Sequence, residues 1–278
     1  VEIGDRRQLF VDAHLVSRLR DLRRVLHHPV RREIAIKPEH PWEEFGVSYM
    51  VAIRDPAWKR SRYRAWYRVD AAAFGRVDRL SMTAYAESDD GIHWRRPKLG
   101  LYDFNGSKEN NIVWMGKGSG AFLPFKDPNP EAPAEERYKA VGPHSSALYA
   151  FISEDAIHWR EMREEPIVTD GAFDSPNLAF WDTVQGHYVA IYRDFINGVR
   201  TIKIATSSDF RNWTPGKWGE FGDIPLEHLY TNATQPYFRA PHIYLAFPRR
   251  FQPWKTMGPF NQAHAGGCSD AIFMSSRC

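Results

Sequence analysis

The sequence predicts an all-β fold, a β-propeller built from four-stranded antiparallel blades. One observation is a repeated seven-residue box, which each time follows a segment that alternates like a half-buried strand. Aromatic residues make up 14% of the 278 residues, with ten Trp and twelve Tyr, which favours strands over a helical bundle. The three boxes are Ser88–Trp94 (SDDGIHW), Ser153–Trp159 (SEDAIHW) and Ser207–Trp213 (SSDFRNW), spaced by 65 and 54 residues. Repeats of about 40 to 60 residues are typical of propeller blades.

The box has the composition of a turn that leaves a strand. Its Ser and Asp can cap backbone N–H groups, a Gly can supply the bend, and its Trp can fill the seam between neighbouring sheets. His93 and His158 recur at the same box position. Because they follow the structural period and no third ligand is placed beside them, we interpret both as structural, and we predict no metal or cofactor.

A second repeat precedes each box and completes the predicted blades. Four second strands follow four apolar innermost strands and a turn, so that each unit reads as strand, hairpin, strand, strand, box and short outer strand. The second strands are Tyr63–Arg68, Tyr138–Val141, Tyr188–Arg193 and Ile243–Phe247. The four units are approximately residues 44–100, 108–165, 172–220 and 228–278.

These units define one propeller domain, residues 44–278, preceded by an N-terminal segment, residues 1–43, that could lend a strand to the closing sheet. The fourth unit ends without a box of its own. We therefore expect the last blade of the propeller to be incomplete. An unpaired edge there would favour self-association.

Charge and hydropathy narrow the function classes. With 37 basic and 34 acidic residues the formal charge is only +3, which does not indicate a nucleic-acid partner. No run of eighteen apolar residues is present, so no membrane partner is predicted. Two cysteines cannot form a disulfide framework. Because the sequence begins with Val, prior removal of a signal peptide is one possibility, and a secreted or periplasmic location is slightly favoured over a cytoplasmic one.

The boxes, together with the segment Phe173–Asp182 (FDSPNLAFWD) and the second strand that follows it, resemble the five-bladed propeller glycosidases of glycoside hydrolase families 32 and 43. The resemblance covers residues 40 to 278 as architecture. It implies an exo-acting glycosidase for a terminal furanoside or related sugar, with three carboxylates at the starts of innermost strands. Such chemistry needs one carboxyl group to protonate the leaving oxygen and another to attack or to activate water.

Transfer of these carboxylates to the sequence gives three candidates. We predict Glu227 as the general acid, Asp174 as the carboxylate that orients the sugar or stabilises the transition state, and Glu44 as the base or nucleophile. The second unit offers no carboxylate between Gly116 and Phe125. Each candidate also has a structural interpretation, because Asp174 could cap a turn, Glu44 lies in a loop and Glu227 could be a surface residue.

The innermost strand of the fourth unit is rich in hydrogen-bonding groups, which are costly to bury without partners. Sugar hydroxyls would satisfy these groups. The predicted substrate-binding residues are therefore His228, Asn232 and Gln235 of this strand, together with Asn177 of the segment Phe173–Asp182. Arg54-Asp55-Pro56 matches a short signature of family 32, but its predicted place in a hairpin indicates a structural role.

Two other functions remain open. A non-catalytic carbohydrate-binding propeller is favoured by the missing carboxylate of the second unit, and it would use aromatic platforms and amides. A protein-interaction propeller would show an exposed apolar rim.

Overall fold

The computed structural model describes residues 3–72, 79–255 and 266–277. Within them the regular structure is nineteen β-strands and three short 3₁₀ helices, Pro41–Glu43, Ser119–Ala121 and Ala134–Glu136. In the described part of the chain, no helix has the length and apolar character needed to cross a membrane. The all-β class predicted from the alternating segments is therefore confirmed.

Three consecutive antiparallel sheets correspond to the first three predicted blades. Each is a meander whose strands pair in chain order, and whose short outermost strand lies at or just beyond the box. The first blade is β1 (Val47–Arg54), β2 (Tyr63–Ala72), β3 (Arg79–Ser88) and β4 (Trp94–Arg95), with β5 (Ile112–Met115) added beside β3. The second is β6 (Leu123–Lys126), β7 (Tyr138–His144), β8 (Ala147–Ser153) and β9 (Arg160–Glu161). The third is β10 (Leu178–Asp182), β11 (His187–Ile196), β12 (Val199–Ser207) and β13 (Lys217–Trp218).

The fourth unit differs from the predicted single sheet. Its described strands are β14 (His228–Thr231), β15 (Gln235–Tyr237), β16 (Ala240–Ala246), β17 (Arg249–Gln252), β18 (Cys268–Ala271) and β19 (Met274–Arg277). They form two three-stranded sheets, with orders β14-β17-β18 and β15-β16-β19. Three passes of the chain, residues 228–237, 240–252 and 268–277, each contribute one strand to both sheets. Pro248, which has no backbone N–H, lies between the two strands of the middle pass.

The N-terminal segment lies beside this last unit. No strand is assigned between residues 3 and 40 of the described chain. The segment instead contacts β19 through Arg277, whose guanidinium donates to Asp12 Oδ2 at 2.7 Å and to Gln8 Oε1 at 2.9 Å. The region that we expected to supply a strand to the closing sheet thus meets that sheet through side chains.

The three boxes share one hydrogen-bonding pattern, as predicted. In each, the Ser hydroxyl accepts a backbone N–H from the box Asp, and that Asp accepts two further backbone N–H groups. The indole N–H of Trp94, Trp159 or Trp213 then closes the turn on a carbonyl three residues earlier. The bend residue has a left-handed φ even where it is not glycine, at Ala156 (62°) and Phe210 (63°).

The box histidines have the structural role that their periodicity predicts. Each imidazole Nδ1 contacts the carboxylate of its own box, Asp90 at 2.6 Å for His93 and Asp155 at 2.7 Å for His158. These contacts hold the turn.

A buried aspartate at the inner hairpin links each blade to the next. Asp55, Asp127 and Asp182 each accept a hydrogen bond from a tyrosine hydroxyl of the following unit. The donors are Tyr138, Tyr188 and Tyr244 respectively, and apolar clusters fill the same three seams. Asp55 is therefore structural, and the interpretation of Arg54-Asp55-Pro56 as a hairpin motif is confirmed.

The box carboxylates give the fold a measurable acid dependence. Burial of Asp209 raises its pKa. Hydrogen bonds from the Asn212 and Arg211 backbone N–H groups outweigh that effect and lower the pKa of Asp209 to about 2. The stability contributed by this shift is complete above the ordinary pKa near 3.8 and is lost as the pH falls through the folded value. After allowance for solvent screening, we expect Asp209→Asn to cost about 1 kcal/mol at pH 7.

Urea unfolding of wild type and Asp209→Asn at pH 7 and in acid measures this loss of stability. The difference between their free energies of unfolding should shrink between pH 4 and 2, roughly the window between the ordinary and the folded pKa of Asp209. The exposed Asp223 supplies the control, since Asp223→Asn should change stability little at either pH. A difference that stayed constant with pH would contradict the prediction.

Candidate functional site

A cavity of about 350 Å³ lies on the axis, where the innermost strands of all four units approach one another. Tyr49 to Ala52 of β1, Leu123 of β6 and Leu178 of β10 form one side of its wall. The stretch Thr231 to Gln235 forms the other, so the predicted ligands Asn232 and Gln235 both face this cavity. Asn232 is buried, and its Oδ1 accepts a long 3.4 Å bond from the Thr234 N–H.

Two tyrosines occupy bulges in the innermost strands. The register of β1 against β2 shifts by one residue between Ser48 and Val51, and that of β14 against β17 shifts between Leu229 and Thr231. Tyr49 lies in the first bulge with a left-handed φ of 49°, and Tyr230 lies in the second. A bulge re-aims the side chain that it contains, and such strained positions are common at binding sites.

Arginines from the second strands surround these rings. Arg68 lies in β2, Arg193 in β11 and Arg249 in β17. Each follows a tyrosine by five residues, Tyr63, Tyr188 and Tyr244 respectively. The Arg68 guanidinium lies 5.7 Å from the Tyr49 ring centre. Those of Arg193 and Arg249 lie 5.0 and 5.6 Å from the Tyr230 ring centre. The second unit has Pro143 at this position.

We did not predict these arginines, although the repeat itself contained the signal. A tyrosine followed five residues later by arginine recurs in three of four units. The apolar pattern of the second strands does not distinguish these positions, and glycoside hydrolysis by itself calls for carboxylates rather than cations. We refer below to Tyr49, Arg68, Asp174, Arg193, Arg200, Tyr230 and Arg249 as the arginine–tyrosine site.

Asp174 is the predicted carboxylate that the structure places in this site. It is exposed and forms an ion pair with Arg193, whose side chain is only 5% exposed. Both residues line a second cavity, of about 550 Å³, together with Phe195 of β11 and the hairpin His144 to Ser146. Asp174 precedes β10, so the segment that suggested a catalytic carboxylate does reach an open cavity.

His228 orients another arginine of the site. Its Nδ1 accepts the backbone N–H of Arg200 at 3.2 Å and lies 3.4 Å from the Arg200 guanidinium. Burial and the nearby Arg200 charge lower the pKa of His228, which keeps the ring neutral at pH 7. The Arg200 guanidinium in turn lies 4.9 Å from the Tyr230 ring centre. The predicted ligand His228 thus adjoins the site through Arg200.

The other two predicted carboxylates lie elsewhere. Glu227 pairs with Arg250 at 3.0 Å and lines a separate, largely apolar cavity of about 160 Å³ with Leu226 and Phe273. Glu44 is exposed and accepts the backbone N–H of Ala72 at 3.1 Å. Neither of the two cavities lined by the arginine–tyrosine site includes Glu44 or Glu227.

The glutamate next to Glu44 is the buried one. Glu43 Oε1 accepts the Tyr67 hydroxyl and the Arg96 Nε–H, both at 3.0 Å, and Glu43 Oε2 accepts the Glu39 N–H at 2.8 Å. These bonds hold the N-terminal segment against the first blade. Asn177 is similarly engaged in its own loop, because its amide donates to the carbonyls of Ser175 and Phe173.

The chemistry of the site follows from its charges. Burial raises the pKa of Tyr49, and the charge of Asp174 raises it further, against the lowering effects of Arg68 and Arg249. Tyr49 therefore stays protonated at neutral pH and can donate a hydrogen bond. Arg68 is fixed by Asp70, which accepts from its Nε at 3.0 Å. The described residues hold no group of three His, Cys, Asp or Glu placed to bind a metal ion.

Comparison with known proteins identifies the fold. No protein-family model matches the chain, and no curated protein matches it either. Among solved structures, the chain is similar to a glycoside hydrolase, with a TM-score of 0.52 and 14% identity over 87% of this chain and 73% of the other. It is also similar to an N-acetylgalactosamine deacetylase from F. plautii, solved with blood group B trisaccharide. There the TM-score is 0.54, with 12% identity over 84% of this chain and 72% of the other. The predicted resemblance to propeller glycoside hydrolases is confirmed as a shared fold.

Proposed function

We propose that this protein is a glycoside hydrolase that acts on a terminal sugar bound at the arginine–tyrosine site. The observation that carries the proposal is the convergence of Asp174, Tyr49 and Tyr230 at one end of the propeller axis, next to two open cavities. The Tyr49 ring lines the cavity on the axis and offers a stacking face for a sugar, and the buried amide of Asn232 offers hydrogen bonds to its hydroxyls.

In this proposal Asp174 orients the sugar or stabilises positive charge on the anomeric carbon in the transition state. The roles of Glu227 as general acid and of Glu44 as base or nucleophile stay predictions. An exo-acting mode on arabinofuranosyl or fructofuranosyl groups, and a secreted or periplasmic location, also stay predictions. The exo-acting mode rests on the sequence resemblance.

We also propose that the propeller is of the five-bladed type and that the N-terminal segment takes part in its closure. The contacts of Arg277 with Asp12 and Gln8 support this, because they join residues near opposite ends of the described chain. Self-association through the edge of the fourth unit remains a prediction, which size-exclusion chromatography with light scattering would check.

A non-catalytic carbohydrate-binding propeller is the second candidate. It is favoured by one observation: within the described residues, Asp174 is the single acidic side chain that lines either cavity. Hydrolysis generally requires two carboxyl groups.

A substrate panel separates these functions. We expect the wild-type chain to hydrolyse at least one member of a panel of aryl arabinofuranosides, fructosides, galactosides and xylosides. Release of the aryl alcohol is followed by absorbance, and an Asp174→Asn preparation of equal thermal stability is the control. An intact, folded chain that turns over none of them but binds glycans in calorimetry would support the carbohydrate-binding function instead.

A further inference from the structure

The arginine–tyrosine site holds more positive charge than its carboxylates balance. Its four arginines face two carboxylates, because Asp70 binds Arg68 in a bidentate pair and Asp174 binds Arg193. Among the described residues, neither Arg200 nor Arg249 forms an ion pair. The polar partner of Arg200 is the neutral ring of His228.

Two nearby acids reduce this excess without removing it. Asp194, which follows Arg193 in β11, pairs with Lys203 at 2.9 Å on the other face of the strand. Asp170 also pairs with Lys203 and accepts the Tyr192 hydroxyl. Because the two carboxylates share one ammonium, they offset one of the two excess positive charges and leave the other at the axis.

Several guanidinium donors in this site are buried without an acceptor. Arg193 Nε and Nη1 and Arg200 Nε have no hydrogen-bond partner in the described structure. The Tyr230 ring face offsets part of the cost of burying these cations. It does not accept the in-plane N–H groups, and a buried donor without an acceptor lowers the stability of the fold. Such a cost is commonly met where a ligand supplies the missing acceptor.

We propose that the site recognises the anionic group of a charged sugar, a carboxylate or a sulfate ester. The proposal rests on the proposed function in one respect, that a sugar binds on the axis. Planar guanidinium groups donate parallel hydrogen bonds to the oxygens of either anion. Arg193 and Arg200 supply the free donors, exposed Arg249 supplies the uncompensated charge, and Tyr230 keeps the three guanidinium groups close together.

Calorimetric titration with matched saccharide pairs tests the proposal. One pair is oligogalacturonate before and after methyl esterification, which removes only the carboxylate charge. The other is carrageenan oligosaccharide before and after chemical desulfation. We expect the charged member of one pair to bind about 10- to 100-fold more tightly, and the pair that responds identifies the anion. The preference should weaken as salt is raised.

Three variants locate the effect. Arg200→Gln and Arg249→Gln should each reduce the preference for the charged member about tenfold, without loss of the native near-ultraviolet spectrum. Arg160→Gln, which removes the same charge from the outer strand β9, should leave the preference unchanged. Neither target is a fully buried residue, so both variants are expected to fold.

The outcomes distinguish this inference from the proposed function. If both members of each pair bind equally, or the neutral member binds more tightly, the inference is overturned while sugar binding stands. A charge preference that persists in both Arg200→Gln and Arg249→Gln also overturns the assignment to this site. Absence of binding to any saccharide overturns the proposed function, and the inference with it.

Discussion

The Asp174→Asn variant is expected to lose about 10²- to 10³-fold in kcat on any substrate that the wild type hydrolyses. Asparagine keeps the size of the side chain but removes the negative charge that would stabilise an oxocarbenium-like transition state. KM should rise as well, because the same carboxylate orients the sugar. Steady-state kinetics on the best aryl glycoside of the panel measures both parameters.

The leaving group supplies a control within the same experiment. Glu227→Gln is expected to lower kcat by about 10²- to 10⁴-fold if Glu227 donates the proton. An aryl glycoside with an activated leaving group needs little protonation. It should restore turnover in Glu227→Gln but not in Asp174→Asn. Unchanged kcat in Asp174→Asn would remove Asp174 from the mechanism, and unchanged kcat in Glu227→Gln would remove Glu227.

The Asp127→Ala variant is expected to lower the free energy of unfolding by about 3 kcal/mol. Asp127 accepts a 2.7 Å bond from the ammonium of Lys139, whose side chain is 1% exposed, and a 2.6 Å bond from Tyr188 of the next blade. Removal of the Asp127 carboxylate takes the nearest anion away from the buried Lys139 ammonium. Glu136, whose Oε2 lies 3.6 Å from Lys139 Nζ, still balances part of that charge. Urea unfolding followed by tryptophan fluorescence gives the change.

The equivalent position in the next seam provides a matched comparison. Asp182 accepts the Tyr244 hydroxyl and two backbone N–H groups, and no buried cation among the described residues pairs with it, so Asp182→Ala should cost clearly less. Adding Lys139→Met to Asp127→Ala should recover much of the lost stability. Equal losses for Asp127→Ala and Asp182→Ala would contradict the role given to Lys139.

The periodic features of the fold could be read from the sequence because each depends on local chemistry. The box closes on itself within seven residues, so its Ser, Asp and Trp predict its hydrogen bonds wherever it occurs. The alternating strands likewise predicted the four-stranded meanders of the first three sheets in their observed order, but not β5, which pairs with β3 in the first sheet. The split of the fourth unit was missed, because it depends on interruptions in three separate passes of the chain.

The candidate site could be predicted only in part. Asp174, Asn232 and Gln235 were identified from sequence, and each lines one of the two cavities. Glu227 and Glu44 were chosen by the same reasoning about strand starts. Glu227 is held by Arg250 and Glu44 by a backbone N–H. A residue's place at a strand start does not specify which neighbour its carboxylate meets.

By itself, the sequence determined the all-β class, the order of the first three blades and the structural role of the boxes, because these follow from residue types within a few positions of one another. Only the tertiary structure decided which side chains meet on the axis. Two one-residue bulges turn Tyr49 and Tyr230 inward, and arginines from three units, far apart in the chain, converge on their rings. Strand register and blade packing create that convergence, and neither is encoded within a single segment.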